Sequence, residues 1–315
     1  MKKTVLILSL LSVIFSGCAQ DKTNDKKKAS KQEVIEKPEK VQISDENLQK
    51  NISKTLDEDF VIEETKSVKE AIEVLQKTSN VIKAITEDKM DEAKEELKKL
   101  IGELEVLMTR EPEVALIPVN VNYQINDVIV DINKISEITN AAQEAMDEGY
   151  YQLAKDLLND LSSEMIINTQ YLPIATYPDA MRISAALLEE GKKEEALALL
   201  VRSLNTLIVE KQVLPLPILR AEEFIKLGAE ILAGEEKDKK EVALVYLDNA
   251  DYQLQLAEAL GYGKKDKEYK DLYKAIKELK KMVKKDKDSK IEFENLSKKI
   301  KEFKERLLYK KDTIK

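Results

Sequence analysis

The most constraining feature of this chain is a phrase that it states twice. Ile135–Met146 is followed by Asp147–Glu148–Gly149, then by Ala154, Leu157, Leu158, Leu161 and Met165. Ile183–Leu188 is followed by Glu189–Glu190–Gly191, then by Ala196, Leu199, Leu200, Leu204 and Leu207. In both, apolar residues recur at helical spacing on either side of a short acidic break. Gly149 and Gly191 stand where a helix would end in the left-handed conformation, which Gly enters without Cβ strain. Pro173 lies 19 residues after Ala154, and Pro215 lies 19 after Ala196. The phrase therefore reads as a duplicated antiparallel helical hairpin, with alanines that let its two helices approach closely.

Looser versions flank it. Ala71, Val74, Leu75, Val81, Ile82 and Ile85 form one helical face; Glu87–Asp88–Lys89 breaks it, and Ala93, Leu97, Leu100, Ile101, Leu104 and Leu107 follow up to Pro112. A further copy is expected in 225–263 around Ala243. The alanine spacings of 61, 42 and 47 residues are unequal, which argues against a regular solenoid such as a tetratricopeptide array. Past Gly263, Leu272, Ile276, Leu279 and Val283, then Phe293, Leu296, Ile300, Phe303 and Leu307, predict a charged C-terminal hairpin with a narrow apolar seam.

The expected fold class is all-α in the main: helical hairpins packed as a bundle, plus at most one small two-stranded β element. Val119, Val121, Tyr123 and Ile125 alternate with polar residues as a half-buried strand does, and 166–175 is its expected partner. The reading divides the chain into a signal peptide at 1–17, a disordered tether at 18–60, a helical domain at 61–262 and the C-terminal hairpin at 263–315. The tether assignment rests on the Lys, Asp, Glu and Ser that dominate 21–40, which offer little to bury. The core is expected at Leu100, Leu104, Leu157, Leu161, Leu187, Leu200, Leu204 and Leu207.

The N-terminus reads as an address. Lys2 and Lys3, the apolar run 5–15 and the small pair Ser16–Gly17 precede Cys18, the only cysteine. A basic start, an apolar run and small residues before the cut form a signal-peptide pattern. A cysteine just after the cut marks the lipoprotein class, whose thiol receives the lipid. The apolar run is shorter than the roughly 20 residues that span a bilayer. Phe15 stands where that class usually has Leu. Partners expected on this ground are the membrane, through the N-terminal lipid, and an unidentified protein or small apolar ligand. The location is the cell envelope, periplasmic or outer surface.

Composition narrows the chemistry. The chain has no His, so no Ser–His or Cys–His pair and no His-ligated metal site can form. With Cys18 given to the anchor, thiolate chemistry goes too. A net charge of −8 argues against nucleic acid, whose phosphates call for a basic surface. No cofactor and no metal are expected. The acids 57–59 and 63–64 lack the spacing of a tight Ca²⁺ loop, and Asp147, Glu148, Glu189 and Glu190 read as turn residues. Lys280, Lys281, Lys284 and Lys285 alternate with acids and read as a solvated face.

The segment Tyr171–Leu172–Pro173–Ile174–Ala175–Thr176–Tyr177–Pro178–Asp179–Ala180 is more specific. It leads into 185–192, Glu195–Ala196, Leu204–Asn205–Thr206–Leu207 and Leu214–Pro215–Leu216–Pro217, with Ile117–Pro118–Val119 upstream. This run resembles the YfdX family of bacterial envelope proteins over about 65–262. The resemblance implies a mostly helical, exported protein and carries no catalytic residues. The expected function is non-enzymatic binding or scaffolding, of a stress-related kind; a holdase-like chaperone and a carboxylate- or Tyr-based enzyme are the alternatives. The expected binding surface is Tyr171, Pro173, Tyr177 and Pro178, joined by Pro215 and Pro217 at the same pole of the bundle, with Tyr150 and Tyr151 on the preceding hairpin.

Overall fold

Each strand that follows a hairpin enters one sheet, so the repeated phrase is a helix–helix–strand unit. A computed structural model describes residues 35–127, 131–235, 237–263, 267–307 and 309–310. After α1 (Asp45–Asp59), the first unit is α2 (Lys66–Thr86), α3 (Met90–Arg110) and β1 (Leu116–Asn126). The second is α4 (Ile132–Asp147), α5 (Tyr151–Asn159) and β2 (Glu164–Pro173). The third is α6 (Tyr177–Glu189), α7 (Lys193–Asn205) and β3 (Ile208–Pro215). Then come α8 (Leu216–Ala233), α9 (Lys239–Ala259), α10 (Lys267–Lys284), α11 (Lys290–Leu307) and the two-residue β4 (Tyr309–Lys310). The mainly helical class expected from the sequence is what the structure has.

One turn closes the three units. Asp88, Gly149 and Gly191 are left-handed, with φ of 64°, 85° and 72°. The next N–H then reaches back over the turn: Lys89 to the Ala84 carbonyl at 2.9 Å, Tyr150 to Ala145 at 2.7 Å and Lys192 to Leu187 at 2.8 Å. This is the Schellman closure, which satisfies carbonyls that a helix end leaves open. Lys89, Tyr150 and Lys192 share one conformation (φ, ψ of −90°, 67°; −82°, 59°; −84°, 63°). Their carbonyls accept the N–H groups of Ala93, Ala154 and Ala196, all buried.

The sheet is larger than a two-stranded element. Among the described residues its order is β1-β2-β3-β4, antiparallel throughout. The third strand, Ile208–Pro215, is not among the β segments expected from the sequence. The structure pairs it along β2, with Pro215 closing the last rung at the sheet end, where a missing N–H costs least. Along β2, Met165 and Ile167 join a core with Leu214, Val121 and Tyr123, while Leu172 joins a different core with Ile117. The sheet thus carries one core on each face, as its alternation requires.

The first core takes α1 and α8–α11, through residues such as Leu56, Phe224, Leu247, Ile276 and Phe303. The second takes α2, α3, α6 and α7, through residues such as Val74, Leu97, Leu100, Met181 and Leu200. A third, small one joins Ile132, Ile135 and Leu161 to Tyr252 and Leu256 of α9. Of the leucines expected in the core, Leu100, Leu104, Leu161 and Leu200 are buried, whereas Leu157, Leu187, Leu204 and Leu207 are half-buried.

Two boundaries move. Residues 45–59 are helix, not tether: Ser44 Oγ accepts the Asn47 N–H, and Leu48, Ile52 and Leu56 are buried. Their four-residue spacing puts them on one face against α8. Lys304 of α11 is buried between Asp59 and Glu222, at 3.1 and 2.8 Å. Burial alone would lower its pKa, but the two carboxylates outweigh burial and raise it. Nor is the C-terminal hairpin a separate domain, because α10 and α11 complete the first core. The signal peptide, Cys18 and the tether up to residue 34 lie outside the described residues.

Candidate docking surface

The structure splits the expected Tyr/Pro pole in two. Leu116 pairs with Pro173 and Pro118 with Tyr171, so Ile117–Pro118 does meet the Tyr171 end of β2. Pro215 pairs with Glu164 at the opposite end, about 30 Å away along an extended strand. The antiparallel order is the cause: consecutive strands run in opposite directions, so consecutive units present their Pro residues at opposite ends.

Most of these residues are also inside. Tyr177 is buried, and its hydroxyl donates to Thr78 Oγ1 at 3.0 Å, which in turn donates to the Val74 carbonyl at 2.8 Å. Burial pushes its phenol up to about 12. Pro178 occupies the first turn of α6, where a missing N–H is tolerated, and is buried there; Pro217 does the same in α8, and Pro215 is buried at the start of that helix. Tyr171 is half-buried on the sheet, its hydroxyl donating to Glu210 at 3.2 Å, and Pro173 is half-buried. These six residues join strands to helices and do not form an open surface.

Tyr150 and Tyr151 differ. Both are exposed, and so are Met146, Leu153 and Leu158 beside them on α4–α5. Counting from the turn residue shows why this is unusual. Met146 corresponds to Ile85 and Leu188, Thr139 to Thr78 and Met181, and Leu158 to Leu97 and Leu200. All six counterparts are buried, Thr78 against Met181 and the rest within the second core. Met146 is 38% exposed and Leu158 44%. The reason is partnership: α2 lies against α7 and α3 against α6, so the outer hairpins cover each other. The middle hairpin touches α9 through Ile132 and Ile135, at the start of α4, and leaves Met146 and Leu158 open nearer the turn. Periodicity in the sequence marks Met146 and Leu158 as apolar-face residues; which hairpins pair is a long-range fact that periodicity does not carry.

The acids are mostly engaged. Asp57 accepts the Tyr123 hydroxyl, and burial together with that carboxylate pushes the phenol up to about 12. Asp59 holds Lys304 and Lys301, Glu64 meets Lys69, Glu189 meets Lys94, and Glu190 meets Lys192. Asp147 accepts the Gln143 amide, and Glu148 is exposed. Among the described residues, no three acids stand together as a metal site would need. Lys280 turns inward to Asp248 at 2.7 Å. A second surface feature is a groove of ≈ 850 Å³ among α8, α9, the end of α10 and the start of α11, lined by residues such as Leu232, Val283, Lys287, Lys290 and Phe293. No helix among the described residues is long and apolar enough to cross a membrane.

Comparison with known proteins picks out the three units. Residues 74–213 match the YfdX protein family, from within α2 to within β3. A solved crystal structure of Salmonella Typhi YfdX aligns at 16% identity, covering 47% of this chain and 91% of that one, with a TM-score of 0.31. No curated protein matches the chain.

Proposed function

We propose, from the premise that residues 74–213 match the YfdX family, that this chain is a lipid-anchored protein of the bacterial envelope that works by docking and not by catalysis. The observation that carries the reading is the open apolar face of α4–α5. It includes Met146 and Leu158, whose equivalents Ile85, Leu188, Leu97 and Leu200 are all buried, with the exposed Tyr151 near the same turn. Contiguous exposed apolar groups on a soluble body mark interaction sites. Tyr supplies large contact area at low entropic cost, and Met adapts to irregular partners.

The anchor supports the same reading. Cys18 with its preceding apolar run gives a membrane attachment, and Ile35, the first described residue, lies against α4, with its carbonyl accepting from Asn133 at 3.3 Å. Cys18→Ser should release a folded body from membranes; persistent membrane binding would undo the anchor.

The docking reading is tested in cells with a photo-crosslinking residue at Tyr151 and a control at Glu73, an exposed position on α2. A discrete adduct at 151 and none at 73 is the expected result. Equal or absent crosslinking at both sites overturns it. The same face would serve a holdase, in which case the chain also suppresses aggregation of an acid- or heat-denatured client.

A further inference from the structure

We propose that the groove among α8, α9, the end of α10 and the start of α11 binds a single-chain amphiphile with an anionic head, of the fatty-acid class. This groove lies outside the segment that matches the family, since α8 begins at Leu216 and the match ends at 213. It is also separate from the α4–α5 face. Its volume of ≈ 850 Å³ falls within the range of small-molecule pockets, about 300–1,000 Å³. Such pockets join a mainly apolar wall to a few placed polar groups. Here Ala229, Leu232, Ala233, Val283 and Phe293 supply the wall. An acyl chain has no polar group to satisfy and needs nothing more.

The start of α11 supplies the polar groups. Ser289 lines the groove, is 8% exposed and stands just before the first helical residue, Lys290. Its carbonyl accepts the Phe293 N–H at 3.0 Å, the first bond of the helix. A serine at this position ordinarily turns its oxygen onto the second or third N–H of the helix, as Ser44 does with the Asn47 N–H on α1. Ser289 does not. Among the described residues its hydroxyl has no hydrogen-bond partner, and the N–H groups of Ile291 and Glu292 have no acceptor. A buried hydroxyl left unpaired is costly, and the open first turn of a helix favours an anion.

Charge agrees. Lys287 and Lys290 flank Ser289, line the groove and are exposed, and neither has an ion-pair partner among the described residues. The other lysines of the lining are engaged: Lys240 pairs with Asp286, Lys239 donates to the Gly234 carbonyl at 2.8 Å, and Lys226 approaches Glu223 at 3.7 Å. Asp288 accepts the Lys290 N–H at 3.1 Å, and Glu230 and Glu294 are exposed to water. The uncommitted charge beside the unpaired hydroxyl is therefore positive, and it calls for a carboxylate.

The test is a titration of the full-length Cys18→Ser chain with cis-parinarate, a fluorescent fatty carboxylate, and its displacement by dodecanoate below the micelle concentration. Saturable binding is expected, with dodecanol roughly tenfold weaker because it lacks the charge. Lys287→Glu with Lys290→Glu should weaken dodecanoate roughly tenfold and leave dodecanol unchanged. Ser289→Ala should weaken dodecanoate roughly fivefold without lowering the melting temperature, since the hydroxyl caps nothing. Ala233→Trp, at an exposed position, fills the groove and should weaken both ligands at least roughly tenfold. Circular dichroism verifies that each variant keeps its fold. Absence of saturable binding, equal affinity for dodecanoate and dodecanol, or binding indifferent to Ala233→Trp overturns the proposal. So does a photo-crosslinker at Ala233 that captures a polypeptide while dodecanoate fails to bind. The docking reading fails separately, if the crosslinker at Tyr151 captures nothing.

Discussion

The first and middle hairpins obey the same local rules and end in opposite surroundings. Both break at a left-handed residue, both close with a Schellman bond and both bury an alanine four residues into the second helix. Yet α2 and α3 bury apolar residues along their whole length, whereas α5 buries Ala154 alone. Local sequence decides that a hairpin forms; which partner the sheet brings to it decides whether its apolar face is core or surface. Strands β1 and β3 run the same way, flanking β2, which runs the other way. The first and third hairpins meet, and the middle one is left out.

This contrast can be broken most strongly in the second core. Leu97→Ala or Leu200→Ala should cost about 2–5 kcal/mol of unfolding free energy, as fully buried leucines do. Leu158→Ala, at the matching position, should cost less than about 1 kcal/mol in dilute solution. Urea denaturation of the three variants gives the comparison directly; equal losses would mean that α5 is covered within the chain. Tyrosines offer the same contrast. Tyr177→Ser should lower stability by about 3 kcal/mol through the cavity that it leaves. Tyr177→Phe should cost about 1 kcal/mol for the lost bond to Thr78, and Tyr151→Ser about nothing. Thermal melts separate these.

Smaller effects test what the hairpins share. Gly149→Ala and Gly191→Ala each force an L side chain into a left-handed turn at about 1–2 kcal/mol. A Cβ at either site meets open space, so the two losses should be alike despite the different surroundings. A much larger loss at one would show that its turn is packed as well as bent. Least of all, Lys94→Ala should change folding by under about 1 kcal/mol, because the Glu189 pair is largely exposed.

The hairpins and their turns are legible in the sequence because their causes are local. Gly149 and Gly191 announce their own backbone, and the Ala154 and Ala196 anchors fall where the turn puts the fourth residue of the next helix. Asp88 is harder, since Asp tolerates the left-handed state without advertising it. Helix α1 is hidden by the charged residues around Leu48, Ile52 and Leu56, whose burial depends on α8 from far along the chain. The Tyr171–Pro178 segment stands out because it is unlike its helical neighbours; the cause is a strand-to-helix joint at which Tyr177 enters the core. Which ends of the sheet hold which prolines depends on strand direction, a property of the assembled sheet and of no single segment.

The measurement that bears most directly on the open middle hairpin is hydroxyl-radical footprinting of the full-length Cys18→Ser chain in dilute solution. Met146 is the probe, and the buried Met165 and Met181 are its internal controls. The account predicts rapid oxidation of Met146 with Met165 and Met181 protected. Protection of Met146 equal to that of Met181 would contradict it.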